Sequence, residues 1–499
     1  MVRALGLPLR LSTAIGACAL LLGIGWAPQG IGPVLRAEQA RAVTPALLAA
    51  LRSSNELLAV RAALALGRTK QLAAEPPLAR HLHDPRAAVR AMAIYGLGLI
   101  ASGREQDAIA SALRDRSGAV RVAALDAADR YAAAKVLSQP DLRVLRAEIE
   151  GVLASDRNSL VRGRAAATLV SFEGPGSDAA TAAALVRAVA HDSASNVRED
   201  AMWCIYRGYA KAAPNRFLVA ELRDRDEIVR IEAVHAIGKR ADAADAAYVT
   251  PLLRDPSWRV QEQASETLRL LRGEPLTQHW TKIPSWVHVP PRVPDPLASR
   301  PALARTAVRG GRRAPSVAQV LGDASLWNVR LDPTTAAEMT GPAHGMHPRV
   351  RIVTTQGNIY VVLFAEWAPF TVENFLNLAN RGYYDGNRWF RIVPDFVVQT
   401  GDRNDNGNGD AGYGIRAEEN PIPQESYVIS MGLNYTSGAN AHAIRDSAGA
   451  QYYITLSPQL HLDRDFTVFG RVTSGFGVLG RLSESDRVLR IERVAGQRL

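Results

Sequence analysis

A chain of 499 residues is too long for one compact core, so two or three domains are expected. Its apolar content of 47% permits packed cores and argues against a chain dominated by disorder. Lys and Arg outnumber Asp and Glu by 59 to 49, but the surplus is spread along the chain and alternates with acidic residues, which argues against a nucleic-acid surface.

Arg3 and Arg10 precede the apolar run "LSTAIGACALLLGIGWA", the basic and hydrophobic regions of a secretory signal, assigned here to residues 1–37. The run is short for a stable membrane span, so export to a periplasmic or other extracytoplasmic space is expected, with an N-terminal membrane anchor as the alternative. Ala27, Ala37 and Ala42 are all open as cleavage points, and "IGAC" ending at Cys18 is a weaker lipoprotein reading. Cys18 lies in that segment and leaves Cys204 alone, so the folds must stand without a disulfide. Cys204, in the apolar "AMWCIYRG", reads as a buried structural thiol.

Residues 45–273 repeat one pattern: an apolar helix, a turn with Asp or a small polar residue, then Val-Arg and an alanine-rich helix. It is plainest in "LHDPRAAVRAMAIYGLG", "LRDRSGAVRVAALDAA" and "LRDRDEIVRIEAVHAIG". Val60, Val89, Val120, Val161, Val197, Val229 and Val260 recur 29 to 41 residues apart, the period of a stacked all-α solenoid. Asp84, Asp115, Asp224 and Asp255 are expected to cap the second helix. Arg90, Arg121, Arg162, Arg198 and Arg230 can reach acidic groups in a neighbouring unit. The array resembles the HEAT-repeat family, which implies a long surface for a protein partner.

Residues 274–347 are rich in Pro and Gly and read as a linker, with Trp280 and Trp286 suggesting local docking and a basic cluster at Arg305, Arg309, Arg312 and Arg313. From 348 to 499 short apolar runs alternate with turns. "RVRIVTTQGNIYVVLF" reads as a hairpin about a Gly-Asn turn. "TVENFLNLANRG" reads as a helix with Val372, Phe375, Leu376 and Ala379 on one face, stopped by Gly382. Many strands with few helices imply an all-β barrel or sandwich.

"WFRIVPDFVVQTGD", a Gly-rich loop, and "AQYYITLSPQLHLDRDFTVFGRV" resemble the cyclophilin-type peptidyl-prolyl isomerases, and the likeness runs in the family's order from Arg349 to near the C-terminus. The resemblance implies an eight-stranded antiparallel barrel capped by two helices. It places the catalytic arginine at Arg391, with Gln399 steadying it or binding the substrate backbone, as Gln451 also could. Phe396, Val397, Tyr453, Leu462 and Phe466 would line the proline pocket. Phe390, His461 and Phe466 depart from residues common in the family and bear on cyclosporin sensitivity and peptide preference. "GLNYTSGANAHAIRDSAGAQ" is longer than usual, leaving the family's Ala-Asn contact at Gly432 and Leu433 or at Ala439 and Asn440.

Prolyl isomerisation needs no nucleophile, metal or cofactor, and none is expected. His344, His347, His442 and His461 lack zinc-ligand spacing, and Thr455 and Ser457 lack a hydrolase elbow. Asp402, Asn404, Asn406 and Gly407 in "QTGDRNDNGNGDAG" mimic the start of a calcium loop, but Tyr413 stands where the bidentate Glu is required. The expected function is a prolyl isomerase acting on exported clients, with the repeats as a protein-binding scaffold. The alternatives are a peptide-binding scaffold without catalysis and a calcium-regulated assembly protein.

Overall fold

The computed structural model describes residues 31–172, 178–274, 348–393, 395–407, 409, 411–435 and 443–494. The expected linker tryptophans and basic cluster lie outside the described residues, as do residues 1–30. The chain divides into two compact units, one ending at Thr250 and the other running from Pro251.

In the first unit, helices Ala87–Ile100, Gly118–Ala133, Ser159–Thr168, Ser195–Cys204 and Glu227–Arg240 are the inner members of successive repeats. Alanine keeps these helices thin enough to stack closely and costs no side-chain entropy. The register valines Val89, Val120, Val161, Val197 and Val229 are all buried. Val60, in the first copy, is only half-buried. Where helix Glu56–Thr69 passes Ala87–Ile100, a Cβ on Gly67 would lie 2.5 Å from the Cα of Gly96, so that close approach requires glycine.

The charged positions of the repeat form a ladder. Arg121 grips Asp156 of the next turn through Nε and Nη2 at 2.6 and 2.8 Å, and its Nη1 donates to the Asp115 carbonyl at 2.8 Å. Arg162 does the same with Asp192 and the Asp156 carbonyl, at 2.6, 2.8 and 2.7 Å. Arg90 holds Asp115 in two bonds of 2.9 Å, and Arg198 reaches Asp224 at a looser 3.3 Å. These forked pairs tie repeats together at four consecutive junctions, and Arg230 Nη1 donates to the Asp224 carbonyl at 2.8 Å. The aspartates differ from the sequence reading in one respect. Each accepts the backbone N–H two residues on, as from Ser117, Asn158 and Ala194, and so shapes the turn before the helix rather than capping the helix itself.

A helix at Ile31–Gln39 precedes the first predicted repeat and packs against Glu56–Thr69. Val34 is fully buried, and the buried Glu38 pairs with Arg61 and Arg68 at 2.5 and 2.7 Å. The expected signal segment therefore contains, at its end, residues that the array uses.

In the second unit, eight strands form one antiparallel sheet: β1 Arg349–Thr354, β2 Gly357–Leu363, β3 Arg391–Val393, β4 Val397–Thr400, β5 Val428–Met431, β6 Tyr452–Thr455, β7 Val468–Ser474 and β8 Val488–Arg493. Their order is β3-β4-β6-β5-β7-β2-β1-β8. The sheet curls shut where the residues leading into β3 meet those leading into β8: Trp389 N–H donates to Asp486 O, Gly386 N–H to Val488 O, and Val488 N–H to Asn387 O. The first hairpin turns on Thr355 and Gln356, with Thr354 opposite Gly357, so Gly357 and Asn358 belong to β2 instead of forming the expected turn. Gly357 earns its place through a φ of +127°.

Helix Pro369–Asn380 covers the core with the predicted face, and Val372, Phe375, Leu376 and Ala379 are buried. Its first N–H groups, from Phe370 and Thr371, are satisfied by the buried Glu418 carboxylate at 3.3 and 2.8 Å. Phe375 packs with Tyr384, Tyr452 and Phe469 at centroid distances of 5.3 to 5.4 Å, edge-on or tilted. The second expected helix is a single turn, Phe476–Leu479.

Candidate active site

Strand register assembles the site. Arg391 on β3 lies opposite Gln399 on β4, and Gln399 lies opposite Tyr453 on β6, so the three share one row and one face. Val397, two residues before Gln399, falls on that face as well, whereas Ile392 and Val398 turn into the core.

A hydrogen-bonded chain runs along the row. Arg391 Nη1 donates to Gln399 Oε1 at 3.2 Å, and Gln399 Nε2 donates to Gln451 Oε1 at 3.0 Å. Gln451 Nε2 then donates to the carbonyls of Gly407 and Gly409 at 2.9 and 2.7 Å. The Arg391 guanidinium sits 5.3 Å over the Phe396 ring. Its side chain is solvent-accessible, as a substrate-facing group must be, while desolvation by the protein packed around the guanidinium pushes its pKa down from the ordinary arginine value.

Beside that cation lies an apolar cluster, made of the residues expected to line the proline pocket. Val397, Tyr453, Leu462 and Phe466 form a buried cluster, with Phe396, Leu433 and Ala443 packed against it. Tyr453 meets Phe466 edge-on at 5.7 Å, and Phe396 stacks on His461 at 5.9 Å and 13°. Burial holds the Tyr453 phenol far above its ordinary pKa, so the ring stays neutral. The turn that presents Phe396 is held at Asp395, whose φ is +54° and whose carbonyl accepts from Ser457 and Gln459.

The structure thus brings together Arg391, Phe396, Val397, Gln399, Gln451, Tyr453, Leu462 and Phe466, all the residues named from the sequence. For the contact left open, Leu433 packs on the pocket, and a Cβ on Gly432 would lie 3.2 Å from Gln399 Nε2. Ala439 and Asn440 lie outside the described residues. Ala443 was not foreseen, nor was its bridge to the exposed Tyr435. An inserted loop does not announce its pairing register; only its unusual length could have pointed there.

In the calcium-like loop the first carboxylate is turned onto the loop's own backbone. Asp402 is fully buried, and its carboxylate accepts N–H from Asn404 at 2.6 Å, from Asn406 at 2.9 Å, and from Gly407. Tyr413, at the position a calcium loop reserves for Glu, donates to Asn374 at 2.6 Å.

Comparison with known proteins adds to this geometry. Residues 349–494 match the family model for cyclophilin type peptidyl-prolyl cis-trans isomerases, and residues 44–129 and 215–281 match that for HEAT repeats. Among curated relatives, the chain is 42% identical over 136 residues to peptidyl-prolyl cis-trans isomerase B of Bacillus subtilis, covering 27% of this chain and 88% of that one. It is 39% identical over 145 residues to peptidyl-prolyl cis-trans isomerase CYP18-2 of Arabidopsis thaliana, covering 29% and 85%. A solved cyclophilin type peptidyl-prolyl cis-trans isomerase from Cryptosporidium parvum aligns at 24% identity and a TM-score of 0.28, over 30% of this chain and 99% of that one.

Proposed function

Since this chain belongs to the cyclophilin type peptidyl-prolyl cis-trans isomerases and carries HEAT repeats ahead of that domain, we propose that it isomerises Xaa-Pro bonds in exported polypeptides, with Arg391 as the catalytic cation. The observation that carries the assignment of the site is the placing of Arg391, tethered to Gln399 at 3.2 Å, at the rim of the pocket formed by Val397, Tyr453, Leu462 and Phe466.

A prolyl peptide bond turns slowly because rotation breaks amide resonance, against a barrier of roughly 18 to 20 kcal/mol. The pocket takes the apolar pyrrolidine ring and holds it while the preceding residue rotates. Arg391 donates to the substrate around the prolyl peptide, favouring the pyramidal nitrogen that exists only when resonance is lost. Gln399 occupies one of the five guanidinium donors and leaves the others for substrate. A donor that strengthens as the amide twists stabilises the transition state more than the ground state, which is the condition for raising kcat.

The export reading is supported by the basic and apolar start of the chain. The scaffold reading is supported by the solenoid itself, whose stacked repeats provide a long surface for a client or partner protein. Catalysis is tested by exchange NMR on a proline peptide with the full-length chain and with Arg391→Ala. The expected outcome is accelerated exchange that falls about a hundredfold or more in the variant. Equal exchange in the two would remove Arg391 from the mechanism.

A further inference from the structure

The loop after β4 contains a fully buried carboxylate that the chemistry above does not use. Gly401, with a φ of +90° and room for no Cβ against the Ala450 carbonyl, turns the chain so that Asp402 points inward. The loop then wraps around that carboxylate. Oδ1 accepts from Asn404, and Oδ2 accepts from both Asn406 and Gly407. Gly409 closes so tightly on Asp402 Oδ1 that no side chain fits there.

With its N–H groups gathered inward, the loop offers the carbonyls of Gly407 and Gly409 to Gln451. Two carbonyl acceptors demand an NH2 group, so they decide which way the Gln451 amide faces. Its oxygen must then face Gln399, which fixes the second amide with its own NH2 toward Gln451 and its oxygen toward Arg391. Reversing either glutamine would set oxygen against oxygen at 2.7 to 3.0 Å. The polarity of the relay is thus set at the loop, and Arg391 receives it.

We propose that Asp402 is a positioning residue for Arg391, holding the loop in the one shape that orients Gln451 and Gln399. The inference rests on the reading of Arg391 as the catalytic cation. Releasing the carboxylate leaves three N–H groups without their acceptor and frees the two carbonyls. Gln451 and Gln399 then rotate, and the guanidinium loses its fixed angle while the proline pocket keeps its walls. The loss therefore falls on kcat, with KM little changed.

The test uses the full-length chain with glutamine side chains labelled with 15N. Asp402→Ala is expected to lower kcat for a proline peptide about tenfold, with KM within about twofold, and to shift the side-chain amide signals of Gln399 and Gln451. Asp402→Asn, which keeps the shape and one acceptor oxygen, should recover part of the loss. Asp486→Ala serves as a stability control. Asp486 is buried and accepts from Thr355, Gln356 and Ser483, away from the pocket, so its loss should lower the melting temperature and leave kcat unchanged. A folded Asp402→Ala with the kcat of the wild type overturns the proposal. So does an equal loss in Asp486→Ala with unmoved glutamine signals, which would mean general loosening. If Asp402→Ala does not fold, Asp402→Asn decides alone, and wild-type kcat with unmoved amide signals overturns the idea. Activity lost in Arg391→Ala but kept in a folded Asp402→Ala defeats this inference only. Activity kept in Arg391→Ala defeats the reading beneath it, while the amide signals still report whether the relay exists.

Discussion

Replacing Arg391 by lysine separates charge from geometry. The guanidinium makes two fixed contacts, the 3.2 Å bond to Gln399 and the 5.3 Å stack over Phe396, and both depend on a planar fork. A lysine ammonium keeps the charge but has no plane to stack and cannot hold Gln399 and a peptide in the same fixed arrangement. Hydrogen bonds from a charged donor are worth about 1.5 to 3 kcal/mol, and loss of a whole transition-state donor costs about 2.7 to 4 kcal/mol. With the charge retained and one ordered bond lost, about 2 kcal/mol is expected, or about 30-fold in kcat/KM. The loss should appear in kcat, because the residues that form the proline pocket are untouched. Exchange NMR without a coupled protease measures both parameters on one proline peptide, and circular dichroism confirms the fold. A kcat/KM within about threefold of the wild type would refute the reasoning, since it would show that a positive charge alone suffices and the tie to Gln399 is idle.

The repeat ladder sets an acid limit on the array. The hydrogen bond from Arg162 is the main cause of the lowered pKa of Asp192, and Arg86 acts likewise on Asp84. Asp115 and Asp156 also fall: desolvation, the largest single influence, pushes them up, but the bond from Arg90 or Arg121, the N–H of Ser117 or Asn158 and the nearby positive charge together outweigh it. Carboxylates depressed in the folded state contribute stability that is fully present above the unfolded pKa, near the ordinary 3.8, and that is lost as pH falls through the lower folded values. Helical signal at 222 nm should hold at neutral pH and decline below about pH 4. Arg162→Met should cost about 2 kcal/mol at neutral pH, and its difference from the wild type should narrow in acid as Asp192 protonates in both; a constant difference would contradict the linkage. At the other end of the chain, a cut after Ala27 leaves Ile31–Gln39 in place, whereas a cut after Ala37 or Ala42 strips Val34 from the array, and the later one also takes Glu38 from Arg61 and Arg68. Intact-mass analysis of exported protein should find a start following Ala27, and a start at either later point would count against that role for the helix.

Much of this molecule can be read along the chain because its signals are local and repeated. The register valine of the solenoid recurs seven times, followed by Arg in six of them, and each copy follows from what one helix must bury and one turn must satisfy. The blocks around Arg391, Gln399 and Tyr453 are likewise contiguous enough to carry the family resemblance, and the residues it named lie together in the fold. What the chain alone could not decide were pairings between distant segments. The ladder partner of Arg121 is Asp156, a full repeat away, and the aspartates serve turns where helix caps were expected. The first hairpin turns two residues earlier than its Gly-Asn suggested, because barrel register rather than local turn preference places Gly357 opposite Thr354. Leu433 and Ala443 pack on the apolar cluster beside a bridge between Tyr435 and Ala443, a pairing that residue type does not announce. The sequence already sets the calcium-like motif aside at Tyr413 and reads Asp402 as a former of local turn bonds, but which N–H groups its oxygens take is decided by the folded loop. Residue type supplies the donors and acceptors, but which donor meets which acceptor depends on chain segments far apart in sequence, and that choice belongs to tertiary structure.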